Sequence, residues 1–164
     1  MQAKTWLGSA ERYFSRPELR DIIRELSCSI AVLPIEILRP HESTIPKLVD
    51  ELLQDIVRRS YLEKPILADL ETLVILDGHH RVEALKRLGC KNAPCLLIDY
   101  RSGRVKVVSW DGDEEISKKT VLEAGISGRL LPPRTTRHLI ILPGKEVHVS
   151  EIQPELRISF RRLV

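Results

Sequence analysis

The feature that most constrains the fold is a change of period within residues 73–89, Leu-Val-Ile-Leu-Asp-Gly-His-His-Arg-Val-Glu-Ala-Leu-Lys-Arg-Leu-Gly. Leu73, Val74, Ile75 and Leu76 form a short continuous apolar run, the pattern of a buried strand. Val82, Leu85 and Leu88 then recur every three residues, which places them on one face of a helix that Gly89 stops. Asp77-Gly78 supplies the turn between the two, with Asp77 expected to cap the helix and Gly78 to let backbone approach a ligand. The chain therefore delivers His79, His80 and Arg81 to a helix N-terminus, where free N–H groups and the helix dipole favour an anion such as phosphate. The Arg81 fork suits phosphate or carboxylate. A plain strand–turn–helix accounts for one polar residue at such a place, not for two histidines followed by an arginine.

Around this stretch, the 164 residues suffice for one compact unit or for two small lobes sharing an interface. A net charge of +3 permits nucleic-acid contact without arguing for it. No run of about 18 apolar residues is present, so no membrane span is expected. Residues 1–10 lack the basic start and apolar core of a signal peptide, and the expected location is the cytoplasm. Cys28, Cys90 and Cys95 are odd in number and form no Cys-x-x-Cys pair, which reads as buried free thiols rather than a disulfide framework or zinc knuckle. One Asn, three Gln and one Met beside ten prolines lean in the direction of a thermophilic protein.

In chain order, residues 1–27 read as a helical cover, with Ser15-Arg16-Pro17-Glu18 as a capping box and Leu19, Ile22, Ile23 and Leu26 on one face. Residues 29–38 read as a strand, at an edge or bulged because of Pro34. Pro40-His41-Glu42-Ser43-Thr44 is a polar loop before the clearest helix. There Ile45, Leu48, Val49, Leu52, Leu53, Ile56 and Val57 keep helical spacing, Ser43 or Thr44 is the expected cap, and Pro46 lies in the first turn. A hairpin is expected over residues 65–76, and a second joins 94–100 to 105–110 across Arg101-Ser102-Gly103. Residues 111–115 form an acidic loop, 117–124 a helix stopped by Gly125, and 131–138 a basic loop behind Pro132-Pro133. Short alternations after residue 139 suggest strands.

Phosphoryl transfer needs an anion cradle, charge neutralisation and a base for the acceptor hydroxyl. Neither a Walker-type loop nor the Gly-rich loop of protein kinases is present, so any such cradle falls to residues 77–81. Asp77-Gly78-His79-His80-Arg81, followed by an Ala/Leu-rich helix, resembles the signature turn of the ParB/sulfiredoxin superfamily, and within it is most similar to the free L-serine kinases. Sulfiredoxins carry Gly-Cys-His-Arg here, with Cys as nucleophile; His79 stands in that place. Partition proteins carry a Gly-Glu-Arg-Arg type of turn, which His79 and His80 do not match.

The resemblance implies an α+β fold. A ParB/sulfiredoxin-like core, a small mixed sheet with flanking helices, is expected over 28–100, after the helical cover of 1–27. A β-rich C-terminal lobe over 101–164 is expected to complete the cleft. It also implies transfer of phosphate from ADP or ATP, with magnesium, to free L-serine, giving O-phospho-L-serine as in cysteine biosynthesis. In the family the turn lines the nucleotide phosphates, which carries over to Asp77, Gly78, His79, His80 and Arg81, joined by His41. A Glu in a Pro-His-Glu loop is the family's base; Pro40-His41-Glu42 matches, making Glu42 the expected base, with His80 and Asp77 in the same catalytic group. Glu36 is the competing carboxylate, inside the β run. Ser43, Thr44, Trp110, Thr136, Arg137 and His138 are expected to hold serine, and Asp77 is the one protein contact suggested for the metal. The partners expected are small molecules met by a monomer, with no membrane and no nucleic acid. Two other classes stay open: a nucleotide- or DNA-binding module like the partition proteins, and a ParB-like nuclease in which His79 and His80 hold a metal.

Overall fold

The computed structural model describes residues 5–14, 16–112 and 114–164. Its centre is a five-stranded sheet in the order β1 (Thr5–Ser9), β2 (Ser29–Pro34), β6 (Asn92–Ile98), β4 (Ile66–Asp69), β5 (Ile75–Asp77). β4 and β6 run parallel and every other pair antiparallel, so the sheet is mixed. Successive side chains of a strand point to opposite faces. On β6, Cys95 and Leu97 accordingly enter one core while Leu96 and Ile98 enter another. The first core is closed by α2 (Pro46–Arg59), through Val49 and Ile56, and by α3 (His79–Arg87), through Val82, Ala84 and Leu85. The second is closed by α1 (Pro17–Glu25), α4 (Lys118–Ser127) and a three-stranded sheet β7–β8–β9 (Val105–Ser109, Thr136–Leu142, Lys145–His148). Burial on both faces explains why residues 95–98 are continuously apolar rather than alternating. The short strands β3 (Tyr61–Leu62) and β10 (Ile158–Ser159) pair with each other. Among the described residues no helix is long and apolar enough to cross a membrane.

The expected α+β architecture is present, with α2 and α3 flanking a mixed sheet; the C-terminal part mixes strands with α4. Several local expectations are corrected. Residues 1–27 are not all helical, because the backbone of Thr5–Ser9 pairs with β2 at an otherwise open sheet edge. Ser15 lies outside the described residues; Arg16 precedes α1 without a side-chain cap. Pro34 marks neither an edge strand nor a bulge but the last residue of β2. β7 does not form a hairpin with β6, whose two edges are already taken by β2 and β4; it pairs with β8 instead. α4 runs through Gly125 and stops at Gly128. Gly125 is needed for packing: a Cβ there would lie 2.7 Å from both Val74 methyls. Cys28, Cys90 and Cys95 are free thiols as expected, and burial pushes Cys28 and Cys95 up to about 12, so neither is a reactive thiolate.

Candidate active site

β5 ends at Asp77, and Gly78 turns the chain into α3 at φ +103°, a value that favours glycine. A Cβ at Gly78 would also meet Arg81 Nη2 at 3.0 Å, so the glycine makes room for that guanidinium to fold back. Asp77 does not cap α3. Its Oδ2 accepts from Arg81 Nη2 (2.8 Å) and Gln153 Nε2 (2.7 Å). Arg81 donates further to Gln153 Oε1 (3.2 Å) and to the carbonyls of Lys64 and Pro65 (3.2 and 2.7 Å). Both terminal nitrogens of its fork are therefore committed to protein acceptors, and it faces a groove with Lys64 and Gln153 rather than the main cavity.

The loop that carries Glu42 is fastened on three sides. Arg39 exchanges backbone hydrogen bonds with Leu73 and Ile75 beside β5, and His41 and Ser43 exchange them with Leu131 of the C-terminal half. The third fastening is the histidine pair. His79 Nε2 accepts the backbone N–H of His41 (3.1 Å) and, at 3.4 Å, of Glu42; His80 Nε2 accepts that of Ile45 (3.0 Å). Ile45 is the N-cap of α2, which has no side-chain cap where Ser43 or Thr44 was expected to supply one; His80 instead accepts the N–H of the N-cap residue itself. An imidazole nitrogen that accepts an N–H carries no proton itself, so both rings are neutral with the proton on Nδ1. Burial, helped by the neighbouring His41, pushes His79 down to about 3; burial first and Arg134 next lower His80. These lone pairs are not available to a metal, so the histidine pair expected of a nuclease is not formed.

Glu42 Oε1 accepts from the Thr136 backbone N–H (2.6 Å) and hydroxyl (2.5 Å), and His41 Nε2 lies 3.6 Å away. Burial would raise this carboxyl, but His41 and Thr136 outweigh it and hold it down at about 2. Oε2 accepts no hydrogen bond among the described residues. His138 is buried, bonded to the Tyr100 hydroxyl (2.8 Å), and pushed down to about 3 chiefly by burial.

A cavity of about 190 Å3 opens between the β5–α3 turn and β8. Of the residues expected in the site, it brings together Glu42, Asp77, Gly78, His79, His80, Trp110, Thr136, Arg137 and His138. Ser43 and Thr44 do not line it; they face a second hollow across the Glu42 loop, with Pro40, Glu83 and Lys86. His41 is wholly buried behind Glu42 and Thr136. Arg134 and His148 line the cavity and were not among the expected site residues. At its mouth Trp110 is 49% exposed, with the Arg134 and Arg137 guanidiniums 5.9 and 5.6 Å from its ring. Neither arginine makes an ion pair or hydrogen bond among the described residues. The only hint of Arg134 in the sequence is its place behind Pro132-Pro133, before β8; its backbone sits at φ +56°.

A free serine kinase solved in complex with AMP superposes on this architecture with a TM-score of 0.69 at 17% identity, covering 82% of this chain and 93% of that one. The chain has the free serine kinase fold. Sequence likeness to the same group is local. An ADP-dependent L-serine kinase, SerK, of Thermococcus kodakarensis is 32% identical over 82 residues, 48% of this chain and 34% of that protein. An ATP-dependent L-serine kinase of Staphylothermus marinus is 31% identical over 83 residues, 48% of this chain and 33% of that protein. A ParB-like protein of Sulfolobus acidocaldarius is 43% identical over 74 residues, 45% and 37% of the two chains. The matched stretch thus spans about a third of each of these relatives, and no family model matches the chain.

Proposed function

We propose that this protein phosphorylates free L-serine, with ADP or ATP as donor. The serine hydroxyl oxygen forms a bond to the terminal phosphorus, the bond from that phosphorus to the bridging oxygen breaks, and the hydroxyl proton passes to Glu42. The products are O-phospho-L-serine and AMP or ADP. The observation that carries this reading is Glu42 itself: an ionised carboxylate with one oxygen fixed by Thr136 and the other without a hydrogen bond among the described residues, in a cavity walled by the N-terminus of α3. A carboxylate held near 2 is a weak base. It suffices where the transition state is loose and the hydroxyl becomes acidic only as its bond to phosphorus forms. The unpaired N–H groups of α3's first turn and the cations Arg134 and Arg137 are the groups suited to phosphates, while Trp110 covers the mouth. Arg81 acts from behind, holding Asp77 and the turn in place.

Magnesium fits the remaining chemistry. Asp77 Oδ2 is held by Arg81 and Gln153, which leaves Oδ1 as the protein oxygen for a cation that otherwise keeps phosphate and water ligands. Among the described residues no cluster of three or more His, Cys, Asp or Glu could hold a metal alone. When bound, the ion neutralises phosphate charge. The likeness to an ADP-dependent and an ATP-dependent kinase supports both donors equally. Phosphorus NMR of the protein with L-serine, magnesium and either nucleotide is the test: a phosphomonoester resonance that depends on serine is expected with one donor. Its absence with both would end this reading.

A further inference from the structure

The hydrogen bonds behind Glu42 have a proton count that the kinase reading alone does not use. His41 is wholly buried, and its Nδ1 lies 2.6 Å from the Ile75 carbonyl, which can only accept, so Nδ1 carries a proton. Its Nε2 lies 2.8 Å from the Thr136 hydroxyl oxygen, which lies 2.5 Å from Glu42 Oε1. The hydroxyl has one proton for two short contacts. If it goes to Glu42, Nε2 must donate to the hydroxyl oxygen and His41 is an imidazolium beside a carboxylate. If it goes to His41, Oε1 must carry a proton. A neutral His41 beside an ionised Glu42 would leave lone pairs facing each other across one of the two contacts. The Thr136 backbone N–H, 2.6 Å from the same Oε1, selects the first form by stabilising negative charge there.

We propose that His41 is a buried imidazolium that keeps Glu42 ionised through the Thr136 hydroxyl, and that His41 and Thr136 are positioning residues for the proton acceptor rather than contacts to phosphate or serine. The Thr136 hydroxyl, committed on both sides, is not free to read a substrate. Glu42 is left with Oε2 as its accepting atom. The inference rests on the kinase reading for its consequence in turnover, but not for its statement about ionisation. The other titratable and charged groups around the pair are His79 and His80 on α3, Asp77 at the end of β5, Arg134, Arg137 and His138 on and before β8, and His148 on β9. His79 and His80 are neutral acceptors as bonded here, and Arg134 and Arg137 work in the same direction as His41, so the closest charge-assisted contact is the one that removal should expose.

The test reads Glu42 directly. Carbon-13 NMR of glutamate-labelled full-length protein, with the Glu42 carboxyl assigned by its loss in Glu42→Gln, gives its titration in the parent and in His41→Gln, Thr136→Val and Thr136→Ser. Gln keeps a donor near the Nε2 position without the charge; Val removes the hydroxyl; Ser restores it. In His41→Gln and Thr136→Val the midpoint should rise by roughly 1–3 pH units, the usual effect of losing an adjacent opposite charge or a hydrogen bond to the charged form. Thr136→Ser should titrate like the parent. The acid limb of turnover should move with the midpoint, about tenfold per pH unit below it, while the plateau above changes less. A parent-like midpoint in both His41→Gln and Thr136→Val, with turnover lowered evenly at all pH, would overturn the proposal and leave His41 as packing. If His41→Gln does not fold, the midpoint in Thr136→Val decides the proposal alone. Should Glu42→Gln keep its turnover, the base assignment fails by itself, while the carboxyl titration still decides the proposal.

Discussion

The two walls of the cavity are built on opposite terms. On the wall formed by the β5–α3 turn, the side chains that stand out in the sequence bind the protein itself: Arg81 holds Asp77, Gln153 and two carbonyls, and His79 and His80 hold the Glu42 loop. On the wall formed by β8 and its approach, the Arg134 and Arg137 guanidiniums have no ion pair among the described residues and lie over a half-exposed Trp110. The motif-dense wall spends its side chains on the protein itself, whereas the motif-poor wall carries two guanidiniums with no ion pair among the described residues. A polar residue in a turn is thus not a ligand contact by its type alone; the acceptors within its reach decide.

The largest effect is expected at the residue both walls aim at. Glu42→Gln should fold normally and bind nucleotide, yet lose turnover by about 10²–10⁴-fold, the span for removing a general base. Steady-state kinetics with thermal melts check it. Near-native turnover would return Glu42 to a structural role in joining the loop to Thr136.

Next comes Arg81. Its removal leaves Asp77 part-buried without its cation and two carbonyls without a donor. Arg81→Ala should therefore cost about 1–3 kcal/mol of stability, the range for leaving part-buried acceptors without a donor. Arg81→Lys should recover little, having no fork to span four acceptors. Denaturant unfolding measures both. A variant as stable as the parent but weaker for nucleotide would move Arg81 to the ligand side and erase the contrast between the walls.

Arg134→Ala and Arg137→Ala should behave in the opposite way. Each should leave the melting temperature nearly unchanged and weaken nucleotide or serine binding by about 1.5–3 kcal/mol, the worth of a charge-assisted hydrogen bond. Titration calorimetry with each ligand separately would also show which arginine serves which. Unaltered affinity for both ligands in both variants would remove the free charge from the mechanism.

What could be read in advance follows physical range. The strand–turn–helix of 73–89, most of the α2 stripe and the Glu42 loop are local patterns and stand where they are expected, except that Val57 is exposed and Ile45 precedes α2. Strand partners are not local: nothing in residues 5–9 says that β2 has an open edge, and nothing in 105–109 says that both edges of β6 are full. Side-chain direction is harder still. A guanidinium suits phosphate and paired carbonyls alike, so the sequence does not distinguish a ligand contact at Arg81 from its bonds to the Lys64 and Pro65 carbonyls. Nor does it say which way His41 faces: consecutive residues of an extended segment point opposite ways, and with Glu42 lining the cavity His41 points inward.

The smallest effect tests the histidines of the scaffold wall by acid. His79 is held neutral at about 3, below the ordinary value of 6.5, and so is His138. For a group whose folded value is depressed in this way, folded and unfolded states bind protons equally above about pH 6.5. Below that, the unfolded chain takes up a proton that the folded one refuses. Stability should then fall as the pH drops from 6.5 toward 3, by on the order of 1 kcal/mol per histidine per pH unit. Glu42, depressed from 4.5 to about 2, adds to the loss only below pH 4.5. Melts at pH 7.5, 6.5 and 5.5 therefore isolate the histidines. His79→Gln keeps an oxygen to accept the His41 N–H but cannot titrate, so it should lower stability modestly at pH 7.5 and flatten the decline toward pH 5.5. A slope insensitive to His79→Gln would mean that the ring is protonated while folded, and a protonated ring cannot accept the N–H groups that fasten Glu42 in place.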